Sequence, residues 1–514
     1  MNGTRATIAP VIKWLLGVEM LRRNLVANFL GQASGALLAL LFIPVYVRAL
    51  GMESFGLIGL YSALFAVLSI VDSSIQALLG RSAAQSRAAS QMSGLADKLR
   101  SFEVSLSLLA SALILCVFLG SDTLGEHALN REALDVSTVG TAFVAMSVAL
   151  SLRLFEGLYR ACLMGMERQV AFNAIYIVSQ ICRWGGAAVI VSWLSPSISS
   201  FFIWHAFTAA ATVLILALTT YRSIGQMGNA TVRFGSLWEE RRFIGGMMVI
   251  SIGAVLLTQT DKLLLAKLLP LAQFGDYALA ATAAAALLLF VGPISDALYP
   301  RLVAHWTTNS QAGYVENFHL GAQLVAALAG TVALVAIAFA NTILSIWTRD
   351  PELAQRVTPI FQILLLGNLL NAFMWIPYRA QLAAGWTGLA ARINLTAVLC
   401  LVPTLFVVTP VYGPTGAAWV WVALNFGYLS IGVRFMFRRI LRNEEFRWYL
   451  WDIAIPLCGA ALPVAIVTLL TKNVVTPFSQ IGSAALVFLI GILGATLASS
   501  ILRRRILNKL LVST

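Results

Sequence analysis

Apolar runs of about 20 residues, the length of a membrane-crossing helix, constrain this chain more than any other feature. Fourteen can be marked: 24–47, 56–80, 102–120, 136–158, 173–194, 200–221, 244–266, 275–299, 318–340, 357–378, 393–410, 414–437, 450–471 and 480–502. At 1.5 Å per residue, a helix of that length crosses the roughly 30 Å hydrocarbon layer of a bilayer. Only 11% of the 514 residues are charged and 59% are hydrophobic. A soluble domain carries about a quarter charged residues, so lipid has to be the solvent for most of this surface. Strand-like alternation is missing from the runs, and a helix satisfies its own backbone hydrogen bonds in hydrocarbon. The expected fold class is therefore an all-α integral membrane protein of about 14 transmembrane helices.

Within the runs, short strings recur in the same order at nearly one offset. Tyr159-Arg160-Ala161 returns as Tyr378-Arg379-Ala380, followed in each case by a glycine (Gly165, Gly385) and an asparagine (Asn173, Asn394). Leu50 with Phe55-Gly56 returns as Leu269 with Phe274-Gly275, and Arg81 returns as Arg301. A duplicated unit of six helices explains the series, and such duplicated bundles hold transport paths at the seam of their halves. Two pseudo-symmetric six-helix lobes plus two C-terminal helices are expected. Because each unit has an even number of spans, the halves insert in the same direction, as in parallel-repeat transporters.

Charge placement sets the orientation. Only six of the 35 Lys and Arg (Arg48, Arg131, Lys267, Arg349, Arg356 and Lys472) fall in loops on one side, whereas clusters such as Arg241-Arg242 and Arg503-Arg504-Arg505 fall on the other. Positive loops stay inside, so both termini are expected in the cytoplasm of a bacterial inner-membrane protein. The net charge of +13 then follows from topology, and no nucleic-acid partner is needed. Met1–Arg23 is basic and only moderately apolar, so no cleavable signal peptide is expected. The organisation reads as an amphipathic cytoplasmic segment 1–23, an N-lobe 24–221, a cytoplasmic linker 222–243 and a C-lobe 244–437. A final helix pair 450–502 and a basic tail 503–514 follow.

Ionisable residues at membrane depth are functional candidates because a lone charge there costs several kcal/mol. Arg183 lies about 15 Å into the fifth span at 1.5 Å per residue, and Tyr176, Gln180 and Trp184 share its face by helical spacing. Such a stripe suits a hydrated cavity that receives an anion; a structural hydrogen bond to a neighbouring helix is the alternative. Asp261 and Lys262, preceded by Gln259, form a second candidate set in the seventh span, for substrate or a coupling ion. The alternative has Lys262 reaching outward and Asp261 capping a neighbouring group. Arg153 and Glu156, three residues apart in the fourth span, are expected to pair on the helix surface as a structural or gating ion pair. Pro44, Pro293, Pro377, Pro403 and Pro456 mark kinks, and Gly31 with Gly35 forms a close-packing GxxxG.

No lysine follows a glycine, so there is no phosphate-binding loop for ATP hydrolysis. GxSxG, HExxH and CxxC are missing too, and His127, His205, His305 and His319 lack metal-ligand spacing. No metal, no cofactor and no enzymatic centre is expected. A membrane glycosyltransferase or polymerase would need a sizeable outer loop, and the longest here, Ser121–Asp135, has about 15 residues.

The opening Asn24-Leu25 to Arg48-Ala49-Leu50-Gly51 with Phe55-Gly56, and Gly165-Met166-Glu167-Arg168-Gln169, resemble the Wzx-type polysaccharide flippases. These transport O-antigen and exopolysaccharide units within the multidrug/oligosaccharidyl-lipid/polysaccharide exporter superfamily. Gln259 to Leu265 with Phe274-Gly275-Asp276-Tyr277, Ile346-Trp347-Thr348, Gly367 with Asn371, and Tyr412-Gly413-Pro414-Thr415-Gly416 are similar as well. The resemblance covers about residues 22–440. It implies a V-shaped pair of lobes that alternates access. It also implies translocation of undecaprenyl-pyrophosphate-linked oligosaccharide from the cytoplasmic to the periplasmic leaflet, alongside a polysaccharide polymerase and chain-length proteins. A cation-coupled multidrug exporter of the same superfamily is the alternative, although its cavity should be acidic where the mid-membrane charge here is mainly basic.

Overall fold

The computed structural model describes residues 3–89, 92–127, 129–225, 231–232, 235, 240–386, 388–470 and 477–505, with side chains for most of them. The side chains of the segment 1–23 expected to be amphipathic, much of the expected linker 222–243 and the tail beyond Arg505 lie outside the described residues. The chain divides into two compact units, Met1–Gln259 and Thr260–Thr514.

The first unit contains α1 (Gly3–Ala88), α2 (Ser93–Leu119), the short α3 (Ser121–His127), α4 (Val136–Gly165), α5 (Gln169–Val189) and α6 (Ile198–Ile224). Helix α7 (Arg241–Leu268) carries the boundary between the units at Gln259–Thr260, not in the expected linker 222–243. The second unit continues with α8 (Leu271–Ala285), α9 (Leu288–Thr307), α10 (Gln311–Ala338), α11 (Ala340–Thr348), α12 (Pro351–Ala383), α13 (Gly388–Gly427) and α14 (Val433–Arg439). A single turn, α15 (Glu445–Arg447), leads into the terminal pair α16 (Ile455–Leu470) and α17 (Pro477–Ala498).

Ten helices among the described residues are long and apolar enough to cross a membrane. Two of them hold two spans each. The 51-residue stretch Leu37–Arg87 and the 48-residue stretch Arg392–Arg439 would each measure about 70 Å or more if straight, over twice the hydrocarbon thickness. Each is broken once, at Gly51 (φ 79°) and at Gly413 (φ 59°). Positive φ is costly for any residue with a Cβ, so glycine sets these two breaks. Helices α7 and α17 complete the set of about 14. At the position equivalent to Gly51 the second half has Pro270, which ends the helical run with φ −52° and ψ 140° before α8 begins. The duplicated breaks therefore use opposite devices, one permissive backbone and one that lacks an N–H.

Side-chain exposure departs from that of a soluble protein, because large apolar residues lie on the surface while several polar ones are buried. Leu119, Trp193, Val411 and Leu469 are more than two-thirds exposed, whereas Ser101, Thr220, Ser295, Thr331 and Asp452 are fully buried. Apolar side chains thus cover the lipid-facing surface as well as the core, and polar ones such as Ser295 and Asp452 bond inside the bundle. In the first unit the core runs through Leu78, Leu79, Leu99, Phe102, Leu158 and Cys162. Helix ends are capped locally: Ser197 accepts from the Ser199 amide at the start of α6, and Asp350 accepts from the Leu353 amide ahead of Pro351.

Candidate functional site

Helix α5 carries the polar stripe expected around Arg183, and the GxxxG of α1 lies against it. A Cβ at Gly31 would overlap Asn173 Oδ1, and one at Gly35 would come within 3.1 Å of Gln180 Nε2 and 3.2 Å of the Tyr176 hydroxyl. The two glycines therefore let α1 approach the amide and tyrosine groups of α5. Below them Asn28, Gln169 and Asn173 interlock. Asn28 Nδ2 donates to Gln169 Oε1 at 2.8 Å and Asn173 Nδ2 donates to Asn28 Oδ1 at 2.7 Å.

Arg183 is sealed inside the first unit, with 1% of its surface exposed. One terminal nitrogen pairs with Glu156 of α4 and the other donates to Gln180 Oε1 at 2.9 Å. This departs from two expectations. The guanidinium is buried and its charge is matched within the unit, which corresponds to the neighbouring-helix alternative rather than to a hydrated stripe. Nor is Glu156 the partner of Arg153. It takes Arg183 instead, and Arg153 lies with its guanidinium 3.9 Å from the centre of the Phe65 ring, its Nε buried without a hydrogen-bond partner. A helix-surface pair three residues apart competes with lipid and packing. The cross-helix pair wins because Glu156 and Arg183 are both buried and would otherwise each be an unmatched charge.

The surroundings are polar but incompletely bonded. Asp72 of α1 lies within electrostatic reach of Arg160, Arg153 and Glu156, accepts from Gln76 Nε2 at 2.5 Å, and leaves Oδ1 unpartnered. That oxygen lies against Gly157, in the space a Cβ there would occupy. His205 of α6 is 1% exposed, has neither ring nitrogen bonded, and packs edge-on to Trp184 and Tyr61 and tilted against Phe201. Trp184 and Tyr176 are half-buried, and the Trp184 carbonyl accepts from the Tyr46 hydroxyl. Buried polar atoms without partners are rare in finished cores, so this cluster has bonding capacity in reserve.

In the seventh span Asp261 accepts from the buried Tyr277 hydroxyl at 2.8 Å and keeps Oδ1 unpartnered. Lys262 and Gln259 are half-buried, and Gln259 Nε2 donates to Thr258 Oγ1 at 3.3 Å. Sequence reasoning gave Asp261 as a substrate or coupling-ion group, with a bond to a neighbouring group as the alternative, and Tyr277, inside the resemblance string itself, makes such a bond. The repeated Tyr-Arg string behaves differently in the two units. Tyr159 is buried and donates to Glu103 Oε1 at 2.8 Å, with Tyr221 donating to the same oxygen. Tyr378 is 45% exposed, and its neighbour Arg379 pairs with Asp296 and donates to Ser295 Oγ at 3.0 Å.

A third cluster was missed at the sequence level. His319 of α10 is fully buried between Asp452, bonded to Nδ1, and Glu444, 3.0 Å from Nε2. Gln323 donates to Asp452 Oδ1 at 2.8 Å and accepts from the Ile501 amide at 3.0 Å. The signal was there in Asp452, a lone carboxylate near the start of the thirteenth apolar run.

Residues 21–306 match the polysaccharide biosynthesis protein family. Over 406 residues the chain is 23% identical to a Shigella flexneri protein described as "Putative O-antigen transporter", covering 78% of this chain and 93% of that one. A protein of the same description from Escherichia coli strain K12 is 27% identical over 300 residues, covering 57% and 68%. Among solved structures, the lipid II flippase MurJ in an inward closed conformation superposes with a TM-score of 0.69 at 13% identity, covering 94% of this chain and 99% of that one. An inward-facing multidrug resistance transporter of the MATE family superposes at 0.63 and 13% identity, covering 79% and 94%. The relatives are transporters rather than enzymes, and the fold is that of the superfamily the sequence resembled. With more than half its length matched, this multi-pass membrane chain belongs to the polysaccharide biosynthesis protein family.

Proposed function

We propose that the protein is a flippase. It translocates undecaprenyl-pyrophosphate-linked oligosaccharide from the cytoplasmic to the periplasmic leaflet of the bacterial inner membrane, for surface polysaccharide synthesis. The observation that carries this reading is the near end-to-end match with the Shigella flexneri relative, 93% of whose length is covered. The physics is consistent: a pyrophosphate and its sugars cannot cross roughly 30 Å of hydrocarbon unaided, so the carrier has to supply polar groups at depth. Alternating access of the two halves, with both termini cytoplasmic and 222–243 as the linker between lobes, completes the reading.

In this scheme Arg183 is held by Glu156 while no substrate is present. The anionic head group then competes with Glu156 for the guanidinium, and Gln180, Tyr176 and Trp184 meet the sugars. Gln259 and Lys262 assist from the seventh span. Asp261 is the coupling carboxylate, and the Arg153–Glu156 region acts in gating. Replacement of Arg183 by Ala and by Lys, at matched membrane abundance, tests the central role. Export of surface glycan should fall at least about tenfold in R183A, the loss of one charge-assisted contact, and partly return in R183K. Wild-type export by both variants would remove Arg183 from the mechanism.

A further inference from the structure

Three helix ends of the second unit converge on a cavity of about 900 Å³. Gln311 and Glu316 line it from the first turns of α10, Glu444 and Arg447 from the approach to the thirteenth span, and Arg504 and Arg505 from beyond α17. Its wall is built rather than incidental. Gln323 ties the Ser500 hydroxyl and the Ile501 amide to Asp452 beneath them. Glu444 joins Arg447, 3.5 Å away, to the buried His319. Arg505 pairs with Glu316 at 2.8 Å. Three guanidinium groups against two carboxylates leave the lining one positive charge in excess.

The same face of the last helix continues into lipid. Leu486, Leu489, Leu493 and Leu497 are each about half exposed or more and recur at spacings of three and four. Ser500, Ile501 and Arg504 extend that stripe into the cavity, and the helical phase is kept because the Ser499 and Arg503 amides still bond four residues back, at 3.0 and 2.9 Å. A cationic hollow at the end of an apolar stripe matches a molecule with one negative charge at its head and a hydrocarbon tail.

We propose that this cavity binds the phosphate of an anionic phospholipid, held by Arg447, Arg504 and Arg505, with an acyl chain along Leu486–Leu497. The lipid is a resident ligand and not the transported cargo, so the site stands apart from the flippase reading and is tested without transport.

The purified full-length chain is titrated with phosphatidylglycerol, phosphatidylcholine and inorganic phosphate, and bound ligand is read by native mass spectrometry. Phosphatidylglycerol should bind at least about tenfold more tightly than phosphatidylcholine, a difference of roughly 1.4 kcal/mol. The double variant R447Q/R504Q should lose that preference. R503Q removes one charge from the same segment at a residue outside the lining, its side chain bonding the Leu497 carbonyl instead, and should keep it. If the double variant folds poorly, R504Q alone, at an exposed position, should still weaken phosphatidylglycerol severalfold. Equal weakening by R503Q, or no effect of R504Q, would reduce the site to a diffuse basic surface and overturn the proposal. Displacement of phosphatidylglycerol by millimolar inorganic phosphate, with no contribution from the chain, would assign the hollow to a soluble anion and also overturn it.

Discussion

Arg183 of the fifth span and Glu156 of the fourth form an ion pair that is almost wholly shielded from solvent. Removing one member of such a pair strands the other, at a cost of about 3–5 kcal/mol, whereas replacing both by apolar groups of similar volume is close to neutral. R183M and E156M should therefore each lower thermal stability in detergent strongly, and R183M/E156M should recover most of it. If the guanidinium also serves the substrate, the recovered double variant stays inactive in glycan export. A double variant that is both stable and active would show the pair to be purely structural.

The carboxylate of Asp72 occupies the space that a side chain at Gly157 would need, so that a Cβ there would overlap Oδ1. Gly157→Ala should accordingly push α1 from α4 and destabilise by about 1–3 kcal/mol, despite the better helix propensity of alanine. D72A in the G157A background should relieve the clash. Thermal unfolding of the four proteins in the cycle gives the coupling, and additive losses would mean that the two residues do not share this space.

How much of this was legible in the sequence depends on how local each interaction is. The spans and the polar face of α5 follow from composition and helical period, so they could be read along the chain. The partner of Glu156 could not. Arg153 is its neighbour along the helix, while Arg183 is 27 positions further on. It reaches Glu156 only through the packing of α5 beside α4, a contact between separate helices. The His319–Asp452 pair, separated by 133 positions, was hidden for the same reason. Neither residue sits in a recognisable spacing, and only the packing of the thirteenth span against α10 unites them. The site was legible as residue types, not as pairings.

His319 bonds two carboxylates at once, Asp452 and Glu444, which requires two protons among the three groups. H319L removes both bonds and leaves Asp452, 0% exposed, facing an apolar side chain, so a loss of about 3–5 kcal/mol is expected. D452N keeps one carbonyl oxygen, which can still accept from Gln323, and turns its amide toward a histidine ring nitrogen that can accept, so it should cost less. Chemical or thermal unfolding of the two variants checks the order. A reversal would mean that the histidine is bystander to an Asp452–Gln323 contact.

The two copies of the repeated Tyr-Arg string predict opposite sensitivities to the same change. Tyr159 is 4% exposed and gives its hydroxyl to Glu103, itself buried and also bonded by Tyr221 and Arg100. Y159F therefore removes one donor from a buried carboxylate, and a loss of about 1–3 kcal/mol follows from leaving that acceptor short. Tyr378 occupies the equivalent place in the second unit with 45% of its surface exposed, serving no buried carboxylate, and Y378F should stay within about 0.5 kcal/mol of wild type. Y221F gives an internal control. Because Tyr221 and Tyr159 serve the same Glu103 oxygen, the double variant should lose more than the two singles combined, since the last tyrosine donor is then gone and Glu103 depends on Arg100 alone, 3.2 Å away and half exposed. Equal responses at positions 159 and 378 would show that the duplicated helices kept one role for this tyrosine, against the divergence their burial indicates.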